Sequence, residues 1–312
     1  MTDERPLALF LMGPTAAGKT EAAMALHEQC GCELISVDSA MVYRGLDIGS
    51  AKPSAEELQR APHRLIDIRD PADPYSAADF RTDALREMRQ ISAAGKVPLL
   101  VGGTMLYFKQ LLEGGGNLPP SSPDVRAALE QELARDGLAG LHARLQQVDP
   151  LAGQRIHPND PQRTLRALEV YRVAGRPMSE LWAEQAVTPF PWRVVSMVLA
   201  PEERSFLHQR IALRFRQMLA EGLIDEVSAL RKRSDLHSDL PALKSVGYRQ
   251  VWEYLEGRYD RASLEELGII ATRQLAKRQL TWLRRWENAC WFNIQQPDTL
   301  DKVLKFVRES SA

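Results

Sequence analysis

The stretch Leu7-Ala-Leu-Phe-Leu-Met-Gly13-Pro14-Thr15-Ala16-Ala17-Gly18-Lys19-Thr20 constrains the fold more than any other part of the chain. Leu7 to Met12 is a short apolar run of the kind that fills a buried parallel strand. The run breaks at Gly13, and after Thr20 helix formers take over from Glu21 to Leu26. Gly-x4-Gly-Lys-Thr in this strand–loop–helix setting is a phosphate-binding loop. Glycine lets backbone N–H groups turn inward as an anion nest, and the helix N-terminus adds the positive end of its dipole. Lys19 brings a point charge to phosphate oxygens, and the Thr20 hydroxyl is placed to reach Mg²⁺. The motif predicts binding of a di- or triphosphate.

Alternating strands and helices continue to about residue 112 and predict a doubly wound parallel sheet. Glu33 to Val37 reads as a second buried strand whose carboxyl end delivers Asp38 and Ser39. Ligands of such sheets bind at the carboxyl ends of the strands, so Asp38 is expected in the crevice of the phosphate loop. A second reading, Asp38 as a cap for the next turn, remains open on spacing alone. Arg64 to Ile68 reads as a third strand, and Ala77 to Ala94 as a helix ending at Gly95. Val97 to Val101 is a further buried strand that runs into Gly102-Gly103-Thr104. There the Thr104 hydroxyl can cap the following helix or touch an anion.

Beyond Gly114-Gly-Gly116 and Pro119-Pro-Ser-Ser-Pro123 the pattern changes to helices with no strand between them. Asp124–Asp136, Leu138–Gln147 and Pro161–Val173 are three such segments, so residues 121–188 form a helical insertion. Residues 1–120 and 189–312 make the core. Trp192 to Leu199 returns to strand character, and everything after it reads as helical: 203–220, 224–232, 248–256, 263–286 and a last helix from 298.

The formal net charge of −1 argues against a generic nucleic-acid coat but leaves room for local basic faces. Arg155, His157, Arg163, Arg166, Arg172 and Arg176 make one cluster in the insertion. Arg273, Lys277, Arg278, Arg284 and Arg285 make a second near the C-terminus. Each alone reads equally well as a solvated helix face; two of them beside a phosphate-binding core point to a polyanionic partner. The three cysteines show no zinc-ligand spacing and read as reduced core thiols. The polar N-terminus and the shortness of the apolar runs predict a cytoplasmic protein with no membrane span.

These residues resemble one family along nearly the whole chain, the bacterial tRNA dimethylallyltransferases (tRNA isopentenyltransferases). The motifs that carry the resemblance begin with the phosphate loop, Asp38-Ser-Ala-Met-Val-Tyr-Arg-Gly-Leu-Asp-Ile-Gly-Ser-Ala-Lys-Pro53 and His63-Arg-Leu-Ile-Asp-Ile-Arg-Asp-Pro71. Val101-Gly-Gly-Thr-Met-Leu-Tyr107, Asp160-Pro-Gln-Arg-Thr-Leu-Arg-Ala-Leu-Glu-Val170, Val246-Gly-Tyr-Arg-Gln250 and Lys277-Arg-Gln-Leu-Thr-Trp-Leu-Arg284 follow in order. The resemblance implies that the loop, Gly13 to Thr20, holds the diphosphate of dimethylallyl diphosphate, with Mg²⁺ at Thr20. The acceptor it implies is N6 of the adenine 3′ of the anticodon, in a tRNA gripped by the insertion at its anticodon stem-loop. Asp38, as general base, Thr104 and Arg214 are the implied catalytic residues. Implied tRNA contacts are Asp38, Ser39, Ala40, Met41 and Thr104 in the core, and Arg126, Gln162, Arg163, Thr164, Leu165 and Arg166 in the insertion. Ser245, Val246, Gly247, Tyr248 and Arg249 are implied too, as are Lys277, Arg278, Gln279, Thr281, Trp282 and Arg284. A monomer is implied as well.

Departures from the family pattern are few: Ala17 stands where Ser is common, Met41 where Gln is frequent and Ser50 where Thr is frequent. Two rival activities share features with this chain. A nucleotide or small-molecule kinase has the same loop and sheet, and a free-adenylate isopentenyltransferase has the same chemistry without a use for the insertion.

Overall fold

The computed structural model describes residues 4–114, 118–184 and 189–311. The expected glycines Gly115 and Gly116, and the expected end of the insertion at residue 188, lie outside them. The chain divides into two compact units, residues 1–112 with 190–312 and residues 113–189.

In the first unit β1 (Leu7–Met12), α1 (Lys19–Cys30), β2 (Glu33–Val37), α2 (Ala55–Arg60), β3 (His63–Arg64), α3 (Ala77–Ala93), β4 (Pro98–Gly102) and α4 (Met105–Glu113) come first. The second unit holds α5 (Pro123–Val148), α6 (Pro150–Arg155), α7 (Pro161–Ala174) and α8 (Met178–Ala183). The chain then returns to the first unit with β5 (Arg193–Ala200), α9 (Arg204–Ala220), α10 (Leu223–Arg231), α11 (Tyr248–Leu255), α12 (Arg261–Leu283), β6 (Ala289–Asn293) and α13 (Thr299–Ser311).

The strands form a six-stranded sheet in the order β3-β2-β4-β1-β5-β6. Every pairing in it is parallel. Because side chains alternate along a strand, the apolar run of β1 feeds both faces. Ala8, Phe10 and Met12 join a core with residues of α3, α4 and α9–α12. Leu9 and Leu11 join a second core with α1 and α13. The central strand is thus buried on both sides, which is why it needs no polar residue between Leu7 and Met12.

Two strands differ from the expectation. β3 is two residues long because Leu65 and Asp67 take positive φ (64° and 56°), which turns the chain out of the ladder. Leu65 still buries its side chain in the core, so the apolar character of this run serves packing and not pairing. β6 appears where only helix was expected, pairing with β5 from Ser196–Ala289 to Ala200–Asn293. Its Cys290, Trp291 and Phe292 suit a pleated, half-buried edge.

In the second unit α5 holds the two expected helices before residue 148, which meet at Gly137, whose φ of 72° and ψ of 168° are not helical. Leu129, Leu141 and Leu145 of α5 pack with Leu165, Leu168 and Val170 of α7. Buried Asp149 caps α6 by accepting from the Ala152 N–H (3.0 Å), and it takes the Ser179 N–H (3.0 Å) and hydroxyl (2.6 Å) at the start of α8. The unit begins earlier than residue 121 because the Pro119–Ser122 segment is tied into it. Arg166 Nη2 donates to the Pro119 carbonyl (2.7 Å), and buried Glu169 accepts from the Ser121 hydroxyl (2.6 Å) and the Ser122 N–H (2.8 Å).

Candidate active site

The carboxyl ends of β1, β2 and β4 open into a cavity of about 1340 Å³ that lies wholly within the first unit. The phosphate loop forms one wall. Ala16 (φ 63°) and Gly18 (φ 80°) both lie in the left-handed region, which turns successive N–H groups to one side. Gly13 must lack a side chain, since a Cβ there would sit 2.4 Å from the Leu199 carbonyl oxygen. The first turn of α1 has no side-chain cap, so its N–H groups remain for an anion.

Lys19 lies over the loop, its Nζ donating to the carbonyls of Gly13 and Pro14 (2.9 Å each). Burial above all, and then Arg214, pull its pKa from the usual 10.5 down to about 8, while Asp38 works in the opposite direction. Thr20, one residue on, lines the same cavity.

Asp38 faces the loop from the end of β2 and also caps the turn after it. Its Oδ1 accepts from the N–H groups of Ala40 (2.8 Å) and Met41 (3.2 Å). Both readings of this residue therefore hold at once, because among the described residues Oδ2 has no donor. Thr104 connects the strand ends: its Oγ1 accepts from the Ser39 N–H (3.2 Å), and its own N–H donates to the Val37 carbonyl (3.3 Å). Arg214 of α9 is half-buried, and desolvation lowers its pKa, while Asp38 supports its charge and Arg210 opposes it. Lys19, Arg210, Arg214 and Asp38 thus share the wall of one cavity with apolar Met105, Leu106, Ile211, Leu213 and Met218.

Arg210 was not expected here. Its Nε donates to the Ala16 carbonyl (2.9 Å), fastening the left-handed apex of the loop. The four-residue spacing between Arg210 and Arg214 on one helix was the signal in the sequence. Glu226 was also missed. Its carboxylate accepts from the N–H groups of Asp47 (3.1 Å), Ile48 (2.7 Å) and Gly49 (3.3 Å) and from the Tyr248 hydroxyl (2.6 Å). That arrangement holds the 47–49 turn, and Gly49, Ser50 and Ala51 line the cavity.

Of the other expected residues, Ser39, Ala40, Met41, Ser245, Val246, Gly247, Arg278, Gln279 and Trp282 line the cavity. Met41 is held by its sulfur, which accepts from the Ser36 hydroxyl (3.9 Å). Lys277 and Thr281 lie with Arg278 and Trp282 along a shallower depression on α12. Arg249 and Arg284 are exposed.

Tyr248 departs from the expectation of a tRNA contact: its ring is fully buried and its hydroxyl is committed to Glu226. In the second unit Gln162 and Arg163 are exposed, the latter within 3.4 Å of Asp160, and Arg126 pairs with Glu130 at 3.0 Å. Thr164 and Leu165, also expected as contacts, are buried in the core of that unit. They fall on the inner face of α7 with buried Ala167 and Leu168. Arg166 spends one amino group on the Pro119 carbonyl and pairs with Glu169 at 3.1 Å, so its guanidinium latches the incoming chain.

The donor set suits magnesium of the kind that arrives with a phosphate. Mg²⁺ takes few protein ligands and fills its octahedron with water and phosphate oxygens. The Thr20 hydroxyl, on the cavity wall beside an anion nest, is one such protein ligand.

Comparison with known proteins points one way. The family described as IPP transferase matches residues 41–286. A curated protein of Chromohalobacter salexigens, a tRNA dimethylallyltransferase, is 61% identical over 311 residues, covering 100% of both chains. The crystal structure of a full-length tRNA isopentenylpyrophosphate transferase from Bacillus halodurans is similar with a TM-score of 0.72 and 35% identity, over 99% of this chain and 97% of that one. A eukaryotic dimethylallyltransferase acting on tRNA shares the fold with a TM-score of 0.81 at 24% identity, over 98% of this chain and 79% of the other.

Proposed function

The chain belongs to the IPP transferase family and transfers a dimethylallyl group to tRNA, and from that premise we propose how its cavity carries the reaction. The donor is dimethylallyl diphosphate, and the acceptor is N6 of the adenine immediately 3′ of the anticodon. The observation that carries this assignment is the opposition of the phosphate loop to Asp38 across a single cavity.

The diphosphate lies on the first-turn N–H groups of α1, with Lys19, Arg210 and Arg214 around it. As the allylic C–O bond breaks, negative charge develops on the leaving diphosphate, and these fixed donors stabilise it without reorganising. Mg²⁺ held at Thr20 through its hydroxyl would neutralise part of that charge. The new bond forms between N6 and the allylic carbon. N6 is a poor nucleophile because its lone pair is delocalised into the ring, and it must shed a proton as it bonds. Asp38 Oδ2 takes that proton while Oδ1 stays anchored by Ala40 and Met41. The apolar lining restricts water that could otherwise capture the allylic carbon. An adenine in a single-stranded loop leaves its stack at low cost, which suits an enclosed site. On this reading the protein works as a cytoplasmic monomer.

Nucleoside mass spectrometry of tRNA after incubation with the purified protein and dimethylallyl diphosphate tests the assignment. An N6-dimethylallyl adenosine 3′ of the anticodon is the expected product. Phosphoryl transfer from ATP in place of that product would overturn it in favour of a kinase.

A further inference from the structure

Gln279 of α12 stands between two walls of the cavity and bonds to both. Its Oε1 accepts from the Thr15 N–H of the phosphate loop (2.9 Å), and its Nε2 donates to the Gly103 carbonyl (3.0 Å). The two ends demand opposite polarity, and among side chains of this length only an amide meets both. Gly103 is shaped to this contact, since a Cβ there would come within 2.3 Å of Gln279 Nε2. One neighbour of the strut is therefore the loop that faces the leaving group, and the other is Gly103, next to Thr104 and the ends of β2 and β4. The Thr15 N–H is engaged by protein and is not among the donors left for a ligand.

From this geometry we propose that Gln279 is a positioning residue that sets the phosphate loop against the Gly103–Thr104 turn, not an RNA contact. It rests on the reading that the loop holds diphosphate. The strut fixes the spacing between the half of the site that binds the leaving group and the half that presents Thr104 and Asp38. Its loss should loosen diphosphate binding and misalign transfer, while the exposed basic side chains of α12 go on meeting RNA as before.

Three variants test this. Gln279→Met has nearly the same shape and neither polar end. Gln279→Glu keeps the acceptor for Thr15 but sets a carboxylate oxygen against the Gly103 carbonyl. Gly103→Ala displaces the strut from the other side without altering it. Calorimetric binding of inorganic diphosphate, tRNA binding by filter retention and steady-state transfer are measured on each. Expected for Gln279→Met and Gly103→Ala is roughly tenfold weaker diphosphate binding with a raised KM for dimethylallyl diphosphate and unchanged tRNA affinity. Gln279→Glu should be at least as weak. The double variant Gln279→Met/Gly103→Ala should be no worse than either single one, because both break the same link.

Wild-type diphosphate affinity in Gln279→Met together with weakened tRNA binding would overturn the proposal and make Gln279 an RNA contact. Independent, additive losses in the double variant would overturn it too. Failure of the wild-type protein to bind diphosphate at all would overturn the proposed function itself, and is thereby distinguishable from failure of the strut.

Discussion

Replacing Asp38 by asparagine should separate its two roles. In the native site Oδ1 accepts from the N–H groups of Ala40 and Met41, and Oδ2 is the oxygen left for a proton. Asparagine keeps a carbonyl oxygen in the first position, so the turn after β2 keeps both hydrogen bonds. What it loses is a proton acceptor, and general-base assistance of this kind is worth about 10²–10⁴-fold in rate. The same change removes a negative charge that faces Lys19 and Arg214 and supports the charge of both. Freed of that competitor, the two cations should hold diphosphate at least as well as before, provided the pH stays below the titration of Lys19. The expected outcome is a slow chemical step with an unchanged or lower KM for dimethylallyl diphosphate. Asp38→Ala should add the loss of two hydrogen bonds in the turn, about 1–3 kcal/mol of local stability, and a looser tRNA interaction. The assay is single-turnover transfer at saturating tRNA and diphosphate, at a pH near 7. Transfer by Asp38→Asn at the wild-type rate would refute the reasoning, leaving Asp38 as a turn cap and requiring another acceptor for the proton.

Lys19 should give the free protein a diphosphate affinity that falls as pH rises through about 8, since the pKa is lowered and the cationic form is lost there and not near the usual 10.5; calorimetry across that range checks the midpoint, and Lys19→Ala should abolish the dependence while sparing tRNA affinity. Arg163→Ala and Lys277→Ala should each weaken tRNA binding alike across acceptor sequences and flatten the plot of log affinity against log salt by about 0.7–0.9; an unaltered slope in both would make those side chains merely solvated. Thr164 buries a hydroxyl that finds no partner among the described residues, so Thr164→Val should leave tRNA binding intact and hold or raise thermal stability by up to about 1 kcal/mol; a loss of tRNA affinity would mean the residue reaches RNA after all.

Much of the fold was legible because its signals are local. β1 and β4 are apolar runs closed by glycine, β2 is a mostly buried run closed by aspartate, and a run of that kind has few alternatives to a doubly covered strand. The two strand errors have opposite causes. Arg64 to Ile68 has the composition of a strand, yet Lys52, only 4% exposed, pairs with Asp67 and helps hold that residue at positive φ. Ala289 to Asn293 lies directly after the long α12, and nothing within five residues separates a partly buried edge strand from a frayed helix end. What decides both is the partner: β5 for the second, the 43–52 turn for the first. Neither partner is visible in the segment itself.

The site divides along the same line. Residues whose work depends on spacing within one element, from Gly13 to Thr20, could be read directly, because the chemistry of an anion nest is written in consecutive positions. Arg214 came from the family resemblance, and the helix face that it shares with Arg210 was not read. Glu226 and Gln279 required more, because the groups they hold lie 177–179 and 264 positions away in the chain. Their chemistry is ordinary, a carboxylate that accepts N–H groups and an amide that bridges a donor and an acceptor. Motif position alone assigned Gln279 to RNA along with its exposed neighbours Lys277 and Arg278. Helical geometry separates them: residues one and two positions apart on a helix point in different directions, so a motif that is contiguous in sequence need not be contiguous in function. The same reasoning removes Thr164 and Leu165 from a face that Arg163 occupies, and Tyr248 from one that Arg249 occupies. In each of these segments the proposed contact with the phosphodiester backbone falls to the exposed base, and its buried neighbours fix the position from which it would be made.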